Sequence, residues 1–295
     1  MNSIIFWLKN SRLFSLPMTL LSWLVIFLYS FNGDKINGIA ALIGIAFAHL
    51  ATNLFDDYVD YRDLDDNNCQ KCKCAYIKEG KATADDILKV VLIYFFISCI
   101  VGLFLFLRCG LPVVWLALCG AFIALFYAVL SKNGLSEIAV GTAFGPLLFE
   151  GVYFVMEGKF SFAVFILSLA VVMFTIGLMY VHTVLDYEGD KTAGKRTLVC
   201  RLGTKSRAVD GVFVVYGLGF LFTVILAYLE NNFYILFTFI LIPLVFDLRE
   251  SLKSFKCGDE IKEFYFRLLK ARNLMVWYSL ILSTIIFLSN FGALR

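Results

Sequence analysis

FSFAVFILSLAVVMFTIGLMYVHTVLDYEGD, residues Phe160 to Asp190, decides what kind of chain this is. From Phe160 to Leu185 there is no Asp, Glu, Lys or Arg. A helix needs about 20 apolar residues to cross the hydrocarbon core of a bilayer, and this run exceeds that. Three acids then arrive together, Asp186, Glu188 and Asp190. Eight further apolar runs lie outward from it: Leu13–Phe31, Ile36–Phe55, Ile87–Leu107, Leu111–Leu130, Ile138–Met156, Val209–Leu229, Phe233–Phe246 and Leu274–Phe291. None alternates with the two-residue period of an outer-membrane barrel strand. Helices are the other way to satisfy backbone groups in lipid. The expectation is an all-α membrane protein, a bundle of nine transmembrane helices forming one domain over residues 1–295. The first run is too long for the apolar core of a cleaved signal peptide and lacks a small-residue cleavage site, so none is expected.

The composition agrees. Of 295 residues, 60% are hydrophobic and 17% charged, and the mean hydropathy is +0.82. A soluble domain has roughly 45–50% apolar and about 25% charged residues. A disordered chain and an ordinary cytosolic enzyme are excluded. A net charge of +3 is too small for a nucleic-acid partner, and none is expected. Eight scattered cysteines do not make a disulfide scaffold.

Charge is distributed unevenly along the loops. Of 26 Lys and Arg residues, all but Lys35, Arg108, Lys159 and Arg295 fall on one side of the nine-span topology. By the positive-inside rule that side is cytoplasmic. It holds the N-terminus, the segments 56–89, 186–208 and 247–272, and thus the loops that cap the functional end of the bundle. The C-terminus lies opposite. The 247–272 segment reads as an amphipathic stretch on anionic headgroups. The localisation expected is a cell membrane, with multiple spans and membrane lipid as a partner.

Two acidic clusters run off helix ends on that side. In Asn53-Leu-Phe-Asp56-Asp57-Tyr58-Val-Asp60-Tyr61, a continuing helix sets Asn53, Asp57 and Asp60 on one face, with His49 one turn earlier. In His182-Thr-Val-Leu-Asp186-Tyr-Glu-Gly-Asp190, the residues at 182, 186 and 190 share a face. Carboxylates stacked at a membrane boundary are costly unless a cation joins them. Hard oxygen ligands at this density suit Mg²⁺, which is commonly shared with substrate phosphates. Lys195 and Arg196 follow the second cluster and suit phosphate oxygens. Acids and bases at the mouth of an apolar bundle describe a receptor for a lipid diphosphate. A single such cluster reads equally well as a solvated helix end; two at matched depth do not.

These residues resemble the UbiA-type intramembrane prenyltransferases over nearly the whole chain. The resemblance rests on Asn53-x3-Asp57-x2-Asp60 and Asp186-x3-Asp190, the two Asp-rich motifs. Three stretches are similar to the 1,4-dihydroxy-2-naphthoate polyprenyltransferases of menaquinone synthesis. They are Asn53 to Tyr61, Gly134-Leu-Ser-Glu137 with Phe144-Gly145-Pro146 and Gly151-Val-Tyr153, and Asp186 to Leu198 with Arg201-Leu-Gly203. Trp7 to Arg12 is similar to the family's opening helix. The chain departs from the family at Asp56 and at His182-Thr-Val-Leu, where Asn residues are usual, and at Ala128–Lys132, where a Gly-Gly-Pro stretch is usual.

The resemblance implies Mg²⁺-dependent transfer of a polyprenyl group from an allylic diphosphate to a small aromatic acceptor, 1,4-dihydroxy-2-naphthoate. Asn53, Asp57, Asp60, Asp186 and Asp190 would be the catalytic metal ligands. Arg12, Lys78, Lys132, Lys195 and Arg196 would bind diphosphate. His49, Asp56, Tyr58, Tyr61, Tyr127 and His182 would line the substrate and stabilise an allylic cation, aromatic faces being suited to cations. The alternatives are a UbiA-type terpene cyclase, a prenyltransferase with another acceptor and, further off, an ion-coupled transporter, whose charges would lie near mid-span. Cys69-x2-Cys72-x-Cys74 offers three thiols where structural zinc takes four ligands, and reads as exposed reduced cysteines.

Overall fold

A computed structural model describes residues 3–62, 75–192, 197–255 and 261–292, and all regular structure among them is helical. The helices are α1 (Ser3–Asn10), α2 (Leu16–Tyr29), α3 (Lys35–Arg62), α4 (Ala75–Lys78), α5 (Ala84–Cys109), α6 (Pro112–Lys132), α7 (Ser136–Thr142), α8 (Leu148–Glu157), α9 (Phe162–Leu185), α10 (Tyr187–Thr192), α11 (Leu198–Arg201), α12 (Lys205–Leu229), α13 (Ile242–Ser254) and α14 (Ile261–Asn290). The chain is an all-α membrane protein. Seven segments are long and apolar enough to span: Lys35–Val59, Ala84–Cys109, Pro112–Ser131, Ser136–Glu157, Phe162–Leu185, Lys205–Leu229 and Ile261–Asn290. They correspond to seven of the nine predicted runs.

The other two runs take a different form. The first becomes a 3₁₀ turn, Leu13–Ser15, followed by the 14 residues of α2. The eighth is a nine-residue 3₁₀ segment, Phe233–Leu241, that passes into α13 at Pro243. Its aromatic and β-branched residues lose side-chain freedom in an α-helix. A 3₁₀ rise of about 2 Å per residue stretches nine residues over roughly 18 Å. Apolar composition registers neither change, because it reports transfer into lipid and not rise per residue.

Two compact units emerge, residues 1–20 with 36–129 and residues 21–35 with 130–295. In the first, Leu50, Ala51 and Leu54 of α3 pack with Tyr76 and Ile77 of α4 and with Ile87, Val91 and Tyr94 of α5. Trp7 and Phe6 of α1 close this cluster edge-on against Tyr76. Thr83 and Asp86 form a reciprocal capping box at the start of α5, satisfying two orphan amides. Gly44 lets α3 approach α5: Ser98 donates to its carbonyl at 2.9 Å.

In the second unit α9 is the central helix. A Cβ on Gly177 would lie 2.5–2.8 Å from the ring of Tyr216 on α12. The absent side chain therefore sets the closeness of the two helices, as small residues do in membranes. Phe174 stacks on Tyr278 of α14 at 3.8 Å, and the Tyr278 hydroxyl sits 2.6 Å from that of Thr223. Between α7 and α8 the helix opens into a π turn, Ala143–Leu147, with Gly145 non-helical at φ −97°, ψ −112°. Pro146 explains the break, since it lacks an N–H and crowds the preceding turn.

The 247–272 segment is largely helix, made of the ends of α13 and α14. Arg267 is buried there and donates to the Ser251 and Glu263 carbonyls at 2.7 and 2.8 Å. That arginine ties the two helices rather than facing headgroups.

Candidate active site

The site in the first unit is built on the C-terminal third of α3, whose helix continues beyond its apolar run to Arg62. Continuity puts His49, Asn53 and Asp57 four residues apart on one face, as the spacing predicts. His49 lies between two hydroxyls, 3.1 Å from Ser15 Oγ and 2.8 Å from Thr19 Oγ1. The Asn53 amide nitrogen donates to Ser11 O and Ser15 Oγ, both at 3.1 Å. With its N–H groups engaged there, Asn53 has its carbonyl oxygen as the side-chain atom that could hold a metal.

Asp56 and Asp57 are 7% and 5% exposed, a costly placement for two like charges. Arg12 joins them: one guanidinium nitrogen contacts Asp56 at 3.2 Å and bonds Asp57. Burial disfavours the charge on Arg12, but Asp57 and Asp56 outweigh it, and the guanidinium stays protonated more firmly than usual. Tyr76 donates to the second Asp57 oxygen at 3.3 Å. Tyr127 of α6 lies near enough to act on Arg12 electrostatically.

Arg12 occupies the left-handed region, φ 58°, ψ 48°. That conformation costs a residue with a side chain about 1–2 kcal/mol. The Ser15 backbone N–H and hydroxyl both donate to the Arg12 carbonyl at 2.8 Å, which holds the turn. The turn in place aims the side chain at the acids.

The second cluster lies in the other unit. Here the helix does not continue: α9 ends at Leu185, Asp186 caps it, and α10 restarts at Tyr187. The Asp190 N–H still donates to the Asp186 carbonyl at 2.8 Å, so a four-residue register survives the break. Asp190 is buried. His182 is exposed; its Nδ1 sits 3.3 Å from Asp186 Oδ2 and its ring meets Phe264 edge-on at 5.5 Å.

The sequence-predicted residues therefore fall into several groups. Arg12, His49, Asn53, Asp56, Asp57 and Tyr127 come together in the first unit, and His182, Asp186 and Asp190 in the second. Tyr58 instead stacks on Phe55 and packs against the hydrophobic cluster. The side chains of Asp60, Tyr61, Lys78 and Lys132 lie outside the described residues, as do Lys195, Arg196, Cys69, Cys72 and Cys74. Ser15, Thr19 and Tyr76 are site residues that spacing did not reveal. Tyr76 reaches Asp57 from a four-residue helix, and no periodicity in the sequence pairs the two.

The profile of the UbiA prenyltransferase family matches residues 15–269. The chain belongs to this family. A stretch of 183 residues is 26% identical to the 1,4-dihydroxy-2-naphthoate octaprenyltransferase of Bacillus subtilis, covering 58% of this chain and 57% of that relative. The match thus spans little more than half of the relative's length. Among solved structures, this UbiA-family chain is similar to a digeranylgeranylglyceryl phosphate synthase, with TM-score 0.67 and 15% identity over 97% of this chain and 99% of that one. It is also similar to a UbiA homolog from Archaeoglobus fulgidus bound to GPP and Mg²⁺, with TM-score 0.64 and 14% identity over 95% and 99% of the two chains. At these identities the likeness is one of fold.

Proposed function

We propose that this UbiA-family chain transfers a polyprenyl group from an allylic diphosphate to a small aromatic acceptor, 1,4-dihydroxy-2-naphthoate, in a Mg²⁺-dependent reaction. The observation that carries the reading is the buried pair Asp56 and Asp57 at the end of a spanning helix, joined by Arg12. The family membership, the Bacillus subtilis relative and the ligands of the Archaeoglobus fulgidus homolog support it.

The donor set fits the metal. Asn53 offers a carbonyl oxygen and Asp57 a carboxylate, both hard ligands of the kind Mg²⁺ prefers. Among the described residues no three His, Cys, Asp or Glu side chains already stand as a metal site. The third ligand of the first motif would be Asp60. Asp186 and Asp190 are the donors of the second cluster. Bound there, Mg²⁺ supplies Lewis-acid neutralisation of the leaving diphosphate. The rest falls to the chain. Arg12 orients diphosphate oxygens, with Lys78, Lys132, Lys195 and Arg196 as further bases. Tyr127 and Tyr61 offer aromatic faces, and the surrounding apolar helices keep water from an allylic cation. The acceptor's ring carbon takes the prenyl group at the carbon that loses its carboxylate.

We place the chain in a cell membrane, with its N-terminus and both acidic clusters on the cytoplasmic side and its C-terminus opposite, because the bases crowd that side. The test is product analysis. Purified protein supplied with polyprenyl diphosphate, dihydroxynaphthoate and Mg²⁺ should form a demethylmenaquinone, and chelation should abolish it. Diphosphate release without that product would remove this acceptor from the proposal. A product formed from the diphosphate alone would favour cyclisation.

A further inference from the structure

We propose that the exposed face at the start of α14, residues 261–272, docks on anionic phospholipid headgroups, with Arg272 at the level of the phosphates. This docking steadies the helix end that touches the second acidic cluster. The inference rests on the reading of that end as cytoplasmic, and is independent of the acceptor.

Length and charge locate the boundary. The 30 residues of α14 rise over about 45 Å, whereas the hydrocarbon core takes about 20 residues of helix. Residues 273–290 include no Asp, Glu, Lys or Arg, while 261–272 include Lys262, Glu263, Arg267, Lys270 and Arg272. The first three turns therefore lie outside the hydrocarbon. Trp277 is exposed just inside the boundary, where aromatic residues gather.

Those turns have two faces. Arg267 and Ala271 are buried on the side that meets α13. On the opposite side Tyr265, Phe266 and Leu269 are exposed at 58%, 53% and 41%. Large apolar side chains grouped in this way, beyond the hydrocarbon, call for a cover. Lys262 and Arg272 are exposed on the same side, about 15 Å apart along the axis. Among the described residues that face carries no acid: Glu263 is taken by Arg267 at 2.6 Å, and Asp247 of α13 by Lys270 at 2.7 Å. Apolar rings flanked by bases compose a helix that lies in a headgroup layer, and anionic lipids attract each base further. A second copy of the chain, meeting this face symmetrically, would set base against base.

The same turns reach the second cluster. Phe264 meets the His182 ring edge-on at 5.5 Å, and His182 lies 3.3 Å from Asp186. A helix end with few buried contacts opens easily, and headgroup contacts supply what the chain lacks there. Docking of α14 thus holds Phe264 in place, and with it the end of α9.

The experiment is amide hydrogen exchange of the purified full chain in two kinds of nanodisc, phosphatidylcholine alone and phosphatidylcholine mixed with phosphatidylglycerol. Amides 261–272 should exchange on the order of twentyfold more slowly in the mixed discs, about fivefold for each of the two bases. Amides 182–186 should slow in the same direction; if they ignore the lipid, the link to the second cluster is refuted. Lys262→Gln or Arg272→Gln should lower the lipid ratio about fivefold, and the double variant should abolish it. Lys253→Gln, an exposed base on α13, should leave it unchanged. Equal exchange in the two lipids overturns the proposal, as does a lipid effect that survives the double variant. Protection that appears in phosphatidylcholine discs on adding inorganic diphosphate would make this a site for a soluble anion and overturn the lipid docking. Protection that grows with the number of chains per disc would point to a second copy and overturn it equally. Diphosphate release measured in the same discs keeps the two readings apart. Lipid-dependent exchange without any turnover removes the functional reading alone, and turnover with equal exchange removes the inference alone.

Discussion

Replacing Asp56 and Asp57 one at a time with Asn separates structure from chemistry within a single ion-pair group. Both acids are almost fully buried and both answer to Arg12, so both substitutions loosen the same contact. Asp57 loses a charge-assisted hydrogen bond, a type that contributes about 1.5–3 kcal/mol. Its amide oxygen can still accept from Tyr76. The net cost is about 2 kcal/mol. Asp56 holds the longer contact, 3.2 Å, and its replacement costs about 1 kcal/mol on the same scale. At about 2–4 °C per kcal/mol for a chain of a few hundred residues, the expected drops in apparent Tm are roughly 4–8 °C for Asp57→Asn and roughly 2–4 °C for Asp56→Asn. Catalysis should divide far more sharply. Residues that merely support a metal ligand change affinity or activity by about 10–100-fold, so loss of Asp57, the proposed ligand, should lower diphosphate release by more than about 100-fold. Asp56→Asn should keep turnover within about tenfold of native. The assay is release of labelled diphosphate at saturating Mg²⁺, below the Tm of either variant. Equal losses in the two variants, in proportion to their Tm shifts, would refute the assignment and make the pair purely structural.

Other parts of the molecule yield independent tests. Gly177→Ala should destabilise the second unit by about 1–3 kcal/mol, the usual range for overpacking, because Tyr216 is 1% exposed and has no space to retreat. In a Tyr216→Ala background the added cost should vanish, and strict additivity in thermal unfolding would contradict the packing. Arg267→Ala removes a buried guanidinium together with its hydrogen bonds to the Ser251 and Glu263 carbonyls. It should cost about 2–3 kcal/mol and accelerate amide exchange at the end of α13 and the start of α14; unaltered exchange there would discount the tie. His49→Phe removes two hydrogen bonds, about 1 kcal/mol each. Since Ser15 also positions Asn53, it should raise the Mg²⁺ concentration needed for half-maximal rate several-fold with kcat nearly unchanged, and a fall in kcat alone would assign His49 to the chemistry instead.

What the sequence could disclose follows from which forces act locally. The seven long spans were legible because lipid demands an unbroken apolar helix, and that demand is written residue by residue. The Asn53–Asp57 face was legible because α3 runs straight through it, so a four-residue spacing became a shared face. At Asp186 the same spacing suggested a continuous stripe, yet the helix stops and restarts there. The hydrogen bond from the Asp190 N–H to the Asp186 carbonyl preserves the register. Only the family resemblance points to Arg12. Its partners stand 44 and 45 residues away, and its aim depends on a left-handed turn that no propensity assigns to arginine. Tyr76 was invisible for the same reason. Helix partners were hardest to see, because a side chain buried between helices is as apolar as one facing lipid, and hydrophobicity cannot tell them apart. The missing side chain at Gly177 carries more of that information than the phenylalanines around it: a glycine opposite a buried tyrosine specifies how closely α9 and α12 approach. The site obeys a similar logic, since a conformation that is unfavourable for Arg12 in isolation persists because Ser15 holds the turn and two buried carboxylates need the charge it delivers.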